Sequence, residues 1–163
     1  EKITNTLFSI SNSVNTTDNL NDLYRSIYDS LNQIIGLPNF FIEIVDNKKK
    51  RLSFPFFVDE YDTQQIISTG LEKYKESTSN TSRVISTKRP LFLKKDILQR
   101  RLKQKKTIGT VSVIWIGVPL IVRDEVIGVM VIQHYSEPEY FTQKDLNLLI
   151  ILCSVVLFLK HLE

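Results

Sequence analysis

The most unusual of the residues that could do chemistry is a glutamate inside an apolar segment. Glu43 interrupts the stretch Asn39–Asp46 on the side that Phe41 and Val45 share, so its carboxylate needs water, a cation or a hydrogen-bond donor there. Aromatic residues recur at the ends of the neighbouring apolar segments. Ligand pockets are mostly apolar with a few polar groups, and the residues expected on the pocket side are Phe41, Glu43, Phe56, Phe57 and Trp115. For any single aromatic residue, the ordinary hydrophobic core is the alternative.

The other reactive residue types form no catalytic constellation. Cys153 lies in the most apolar segment, where a thiol behaves as a small hydrophobic group rather than as a nucleophile. His134 is interpreted as a surface residue, and Asp59-Glu60 as a helix cap or a loop hydrogen-bonding pair. The glycines are scattered and make no phosphate-binding loop. We therefore predict a protein that is not an enzyme and has no metal site, and the sequence names no cofactor.

Length and composition place these residues in one globular domain. The chain has 163 residues, of which 42% are hydrophobic and 24% charged. A single cysteine and two histidines exclude a disulfide framework and a cysteine-rich zinc site. No signal segment is visible, so an excised cytoplasmic domain is expected, with Leu162-Glu163 as a possible cloning scar. Leu148–Leu159 carries no charge but is too short to cross a bilayer, so no direct membrane insertion is expected.

The net charge of +3 is concentrated in one segment. Lys88–Lys106 contains nine basic residues and one acidic residue, Asp96, and the rest of the chain is net negative. Proteins that bind single-stranded nucleic acid interleave such charges with aromatic residues, and Lys94–Lys106 contains none. The segment is therefore interpreted as a solvated helix face, and no nucleic-acid partner is expected.

Two hairpins are predicted to position the candidate residues. Asn39–Asp46 and Leu52–Val58 are aromatic and β-branched, with a charged turn between them. Pro55 indicates that the second strand of this pair lies at a sheet edge or contains a bulge. Val111–Val122 and Val126–Tyr135 form the second pair, and they are so continuously apolar that both faces of the sheet should be covered.

Helices are predicted before, between and after the hairpins. A stripe of Ile3, Leu7, Ile10 and Val14 is typical of a helix–helix seam. The last helix begins with a capping box at Thr142–Asp145 and is apolar on all sides, so it needs a second partner besides the sheet. Helices are also expected over Leu20–Ile34, Thr63–Lys75 and Asp96–Lys105, the last with Ile97, Leu98 and Leu102 inward, and a loop over Glu76–Ser82.

The ordered succession of these pieces resembles a GAF domain, the small-molecule sensing module related to PAS domains. The resemblance covers about residues 3–161, so that residues 1–163 form a single domain. The segments that carry it are Ile34–Gly36, Asn39–Ile42, Leu52–Glu60, Ser86–Leu91, Trp115–Leu120, Ile127–Gln133 and Tyr140–Leu146.

The resemblance implies an α+β, PAS-like fold with a six-stranded antiparallel sheet. The N- and C-terminal helices would cover one face, a ligand pocket would lie on the other, and the terminal helices would form a homodimer. The pieces Phe54–Glu60 and Trp115–Leu120 are similar to GAF domains of sensor histidine kinases and cyclic-di-GMP signalling proteins. An effector domain such as a histidine kinase is therefore an implied partner.

The chain departs from relatives of this fold whose activities are known. Free-methionine sulfoxide reductases need several cysteines, and the motifs of bilin-binding relatives are missing. Asn47-Lys48 and Asp59-Glu60 only superficially match the cyclic-nucleotide signature, because Pro55 stands where its Phe belongs. Two hypotheses result. The first is a regulatory sensor that binds an unidentified small molecule, and the second is a dimerisation and relay module whose pocket its own side chains fill.

Overall fold

The centre of the molecule is an antiparallel sheet of five strands in the order β2-β1-β5-β4-β3. The computed structural model describes residues 4–5, 8–9, 12, 20–46, 51–63, 79–107 and 109–161. Both predicted hairpins are confirmed, since β1 pairs with β2 and β4 with β5. The described residues form a sheet of five strands, whereas the resemblance implies six. The strands are β1 Asn39–Asp46, β2 Arg51–Val58, β3 Leu91–Lys94, β4 Ile114–Val122 and β5 Glu125–His134.

Four helices accompany the sheet among the described residues: α1 Leu20–Ile35, α2 Asn80–Thr87, α3 Lys95–Lys103 and α4 Gln143–His161. The prediction of α1 is confirmed, with Leu23, Ile27 and Leu31 fully buried. At the start of α4, the Thr142 N–H donates to Asp145 Oδ2 at 2.8 Å, which is one of the two bonds of the predicted capping box. The Asp145 N–H donates to the Thr142 carbonyl at 3.1 Å rather than to the hydroxyl. None of the described helices combines the length and the apolar content that a membrane crossing requires.

The predicted helix Asp96–Lys105 is confirmed as α3, but two details of the helix predictions were wrong. The sequence predicts a loop over Glu76–Ser82, but α2 begins within this range, at Asn80. The Ser79 hydroxyl caps the helix by accepting a hydrogen bond from the Ser82 N–H at 3.2 Å. In α3, Leu102 is 44% exposed and Arg101 is buried in its place. The Arg101 guanidinium turns inward because Asn80 Oδ1 accepts from its Nε at 2.6 Å. The stripe Ile3–Val14 and the predicted helix Thr63–Lys75 lie largely outside the described residues.

Two hydrophobic clusters cover opposite faces of the sheet, as its apolar strands predict. On the α1/α4 face, Phe40 and Ile42 of β1 pack with the buried residues of α1 and α4. On the α2/α3 face, Phe41 of β1 packs with Val84 of α2 and Leu98 of α3. Alternate residues of one strand therefore belong to different cores.

A β-bulge lies in β2 where Pro55 occurs. Ile42 is opposite Phe56 and Ile44 is opposite Ser53, so two residues of β2 face the single residue Glu43 of β1. Because β2 is also an edge strand, the interpretation of Pro55 is confirmed on both counts. The bulge leaves Phe54 and Phe57 together on the α2/α3 face.

Gly128 is required where β5 passes closest to β1. A Cβ atom at this position would lie 2.3 Å from the backbone oxygen of Glu43, which cannot move without breaking the ladder. We expect Gly128→Ala to lower the free energy of unfolding by about 2 kcal/mol, measured by urea denaturation. Ser53→Thr adds one carbon to the exposed side of β2 and is the control, with an expected change within about 0.5 kcal/mol. Equal stability of the two variants would show that β1 and β5 are not this close.

Candidate functional site

Glu43 is the central residue of the site, and its side chain is completely buried on the α2/α3 face. Neither carboxylate oxygen has a hydrogen-bond partner among the residues that the structure describes. Its neighbour across the ladder is Val129 of β5, and β2 presents Phe54 and Pro55 opposite it. Burial in these apolar surroundings raises the pKa of Glu43 from an ordinary 4.5 to about 7.

Three phenylalanines form one wall beside Glu43. Phe41 and Phe57 stack with their ring centroids 5.5 Å apart, and Phe54 meets both rings edge-on at 5.8 Å. Phe41 comes from β1 and the other two from β2, so the bulge that faces Glu43 also brings the three rings together. The wall is apolar and presents both ring faces and ring edges.

Trp115 lies flat along β4 on the same face of the sheet. A Cβ atom on Gly117 would be 2.4 Å from the indole Cη2, so the ring occupies the space that a side chain at Gly117 would take. Val84 of α2 approaches the same point to 3.2 Å. The Trp-x-Gly pattern of the sequence therefore has a packing reason, since only glycine two residues later lets the indole lie on the strand.

Phe56 lies on the other face of the sheet and is not part of this site. It packs against Tyr28 of α1 and Phe40, with centroids 5.0 and 5.6 Å away, and Arg25 lies over its ring at 5.7 Å. The expectation that Phe56 is on the pocket side therefore does not hold. The sequence places it between Phe54 and Phe57, but the bulge shifts the alternation so that Phe54 and Phe57 share one face.

The structure also shows a polar cluster that the sequence analysis did not assemble. Asp59 accepts hydrogen bonds from the Tyr135 hydroxyl at 2.8 Å and from Gln133 Nε2 at 2.9 Å. Asp62 accepts from the Thr110 N–H at 2.9 Å and lies 3.3 Å from the same Tyr135 hydroxyl. Burial, with the two carboxylates as a further cause, raises the pKa of Tyr135 far above its usual range. The cluster joins segments far apart in the chain, which is why no local pattern signals it.

The remaining reactive residues have structural roles. His134 Nδ1 accepts from the Glu137 N–H at 3.0 Å, and its ring stacks on Tyr140 at 4.2 Å. Cys153 is buried on the α1/α4 face beside Met130, and burial raises the pKa of its thiol to about 12. Across the residues that the structure describes, no group of three or more acidic, histidine or cysteine residues could hold a metal ion.

A groove of about 460 Å³ opens elsewhere, between α4 and the end of β4 that β3 does not cover. Its lining residues come from α4, from β4 with the turn after it, and from the segment between α2 and β3: Ile150, Cys153, Ser154, Val118, Pro119, Ile121, Val122, Arg123, Lys88 and Pro90. None of the five residues expected on the pocket side contributes to it.

The described residues form a small α+β domain, in which an antiparallel sheet has a hydrophobic core on each face. Glu43 is buried on one of these faces. The family model of the GAF domain matches residues 17–158, so the chain belongs to the GAF domain family. No curated protein sequence matches the chain.

Solved structures share the fold over nearly the whole chain. The GAF domain of an Acinetobacter phosphoenolpyruvate-protein phosphotransferase is 18% identical, with a TM-score of 0.72, over 96% of this chain and 91% of that one. Free methionine-R-sulfoxide reductase from Neisseria meningitidis is 15% identical, with a TM-score of 0.73, over 98% and 88%. Residues 122–287 of a methyl-accepting chemotaxis protein are 14% identical, with a TM-score of 0.71, over 95% of both chains. At these identities the likeness concerns the fold alone.

The buried acid makes stability depend on pH in a predictable direction. Glu43 ionises near pH 4.5 in the unfolded chain and near pH 7 in the folded chain. Between these pH values the folded state therefore binds more protons than the unfolded state. Stability therefore falls as the pH rises through that window. From pH 5 to pH 8, the free energy of unfolding should fall by about 2 to 3 kcal/mol more in the unaltered protein than in Glu43→Gln.

Urea denaturation at several pH values measures this difference. The control is Glu137→Gln, which removes an exposed carboxylate and should leave the pH dependence as it is in the unaltered protein. Parallel curves for the unaltered protein and Glu43→Gln would mean that Glu43 is solvated or paired in solution.

The Tyr135 hydroxyl should be important for stability because it donates to the Asp59 carboxylate at 2.8 Å and lies 3.3 Å from Asp62. Tyr135→Phe is expected to lower the free energy of unfolding by about 2 kcal/mol, the cost of a lost hydrogen bond to a charged group. Tyr61→Phe is the matched control, since Tyr61 is 63% exposed and its ring packs edge-on against Tyr135. Equal losses in thermal or urea denaturation would contradict a special role for the Tyr135 hydroxyl.

Proposed function

We propose that the chain is a non-catalytic regulatory sensor domain that binds a small molecule on the α2/α3 face and relays the bound state through its terminal helices. The observation that carries the proposal is Glu43, a fully buried carboxylate that no residue of the described part of the chain pairs with. Burying such a group is costly unless something pairs with it. A ligand that supplies the missing partner explains why the acid stands among Phe41, Phe57 and Trp115.

The family supports a regulatory role. GAF domains occur in the phosphotransferase protein and the similar fold in the chemotaxis protein described above, and a signalling effector such as a histidine kinase is the partner that we propose for this chain. The fold also occurs in a sulfoxide reductase. Against thiol chemistry at this site, Cys153 lies on the opposite face and its raised pKa keeps it protonated.

In this proposal the relay runs through β1, because its side chains enter the cores on both faces of the sheet. Residues of β1 alternate between the ligand face and the core of α1 and α4, so a shift of β1 is felt on both sides. At the end of the sheet, the Tyr140 hydroxyl lies 3.1 Å from the Ile35 carbonyl and 2.9 Å from the Gly36 carbonyl, which ties the end of α1 to the segment before α4. A ligand shifts this assembly only by the difference in its affinity for two packings.

A homodimer through the terminal helices is part of the proposal. In α4, Leu149 and Leu152 are fully buried against the sheet, whereas Ile151 is 48% exposed on the outer side. An exposed isoleucine on an otherwise apolar helix is available to a second copy of the chain.

A relay domain with a self-filled pocket is the second candidate, and one observation favours it. The Trp115 indole already covers the backbone at Gly117, and the three phenylalanines already pack against one another. In this case the aromatic side chains are core and no ligand is needed. Native mass spectrometry of freshly purified protein, compared with its denatured mass, separates the two candidates. Non-covalent excess mass supports the sensor, and a clean dimer without it supports the relay domain.

Adjacent phenylalanines on opposite faces offer a matched test of where the ligand binds. Phe57→Leu should reduce the fraction of protein that carries excess mass at least fivefold, because it removes a ring from the wall beside Glu43. Trp115→Ala should abolish it. Phe56→Leu alters only the α1/α4 core and should leave the fraction unchanged. If Phe56→Leu and Phe57→Leu lowered it equally, the ligand would not bind on the α2/α3 face.

A further inference from the structure

We propose that the ligand is a small organic cation, a protonated amine on an apolar body, whose charge pairs with the carboxylate of Glu43. This inference rests on the proposed function, because it names the chemical class of ligand for the same face of the sheet. The bound cation is then the counter-charge of the Glu43 carboxylate, which the described residues leave unpaired.

Within the described ranges, no protein donor lies beside the acid. Both oxygens of Glu43 are buried without a hydrogen bond. The neighbouring residues of β1 on this face are Phe41 and Val45, and across the ladders stand Val129 and the pair Phe54-Pro55. None of these side chains can donate a hydrogen bond. The donor must therefore come from outside the strands that surround Glu43.

The charged groups of the described helices on this face point to solvent or are used elsewhere. Arg83 of α2 is exposed, and so are Lys95, Asp96, Arg100 and Lys103 of α3. Arg101 of α3 donates to Asn80 and to the Lys106 carbonyl. The acids Asp59 and Asp62 and the phenol Tyr135 lie at the end of the sheet, beyond Asn39. Burial is the cause that raises the pKa of Glu43. No charged group of the described elements pairs with this acid, so a cationic ligand would supply its counter-charge.

The aromatic wall fits the same ligand. Ring faces attract cations through their quadrupole, and the rings of Phe41, Phe57 and Trp115 give an apolar body a large surface to cover. An anionic ligand would meet the like charge of Glu43 in a buried place. A neutral ligand would leave the carboxylate uncompensated or leave it protonated.

Binding of the cation is then coupled to the release of a proton. With a pKa of about 7, the empty site is largely protonated at pH 6. The ammonium group of the ligand keeps its protons, the carboxyl of Glu43 loses one to the solvent, and the resulting ion pair carries no net charge. Affinity should therefore fall about tenfold from pH 8 to pH 6, with close to one proton released per ligand at pH 6.

Isothermal titration calorimetry tests this on dialysed protein with benzylamine and phenethylamine, their neutral counterparts benzyl alcohol and phenethyl alcohol, and phenylacetate. We expect the amines to bind and the alcohols and the acid to bind at least tenfold more weakly. Repeating the amine titrations at pH 6 in two buffers of different ionisation enthalpy counts the protons released. The expected count is near one at pH 6 and near zero at pH 8.

Two substitutions of Glu43 distinguish ligand recognition from a structural role. Glu43→Gln should weaken amine binding at least tenfold and abolish both its pH dependence and its proton release. Glu43→Asp should keep the proton release but bind more weakly, because its carboxylate is one carbon shorter. Glu137→Gln, the exposed control, should behave as the unaltered protein.

The outcomes separate the two proposals. Binding of the alcohols or of phenylacetate in preference to the amines overturns the cation and leaves the ligand site in place. Amine binding that survives unchanged in Glu43→Gln likewise overturns the cation inference. If no probe binds and native mass spectrometry shows no excess mass, both the cation and the ligand site are refuted, and the relay domain stands.

Discussion

Two hairpins from distant parts of the chain become one sheet through the ladder that joins β1 to β5. Asn39–Ile44 pair there with Gly128–Gln133 in an unbroken antiparallel register. The close passage at Gly128 leaves no room for a side chain, so the ladder depends on glycine at that point. Everything else follows from this pairing, because it makes β1 and β5 inner strands with a hydrophobic core on each face.

An inner strand buried on both sides has no solvated position for a charge. Glu43 stands in such a strand, and the free energy of its desolvation opposes folding at neutral pH. Proteins keep destabilising groups of this kind chiefly where function uses them. The aromatic wall around it would pack as well against a leucine, so packing does not explain a glutamate here.

At the end of the sheet, the same fold supplies hydrogen-bond donors to two carboxylates. Asp59 and Asp62 are held by an amide, a phenol and backbone N–H groups, all neutral donors from other segments. Glu43 lies four residues along β1 from Asn39, which itself donates to Glu60. The satisfied acids follow the end of β2, beside the start of β1, whereas Glu43 lies within β1 and faces the aromatic wall.

The sequence by itself determined both hairpins, α1, the start of α4, the bulge at Pro55 and the anomaly of Glu43, because each depends on local periodicity, turn chemistry or polarity. It could not assign Phe56 to its face, find α2, or predict that Arg101 rather than Leu102 turns inward. The face of Phe56 depends on a register shift and the burial of Arg101 on Asn80, which is distant in the chain, whereas α2 begins at a local serine cap that the sequence analysis missed. Only the tertiary structure decided that Glu43 has no donor among the described residues, since a hydrogen-bond partner can come from any segment that the fold brings near.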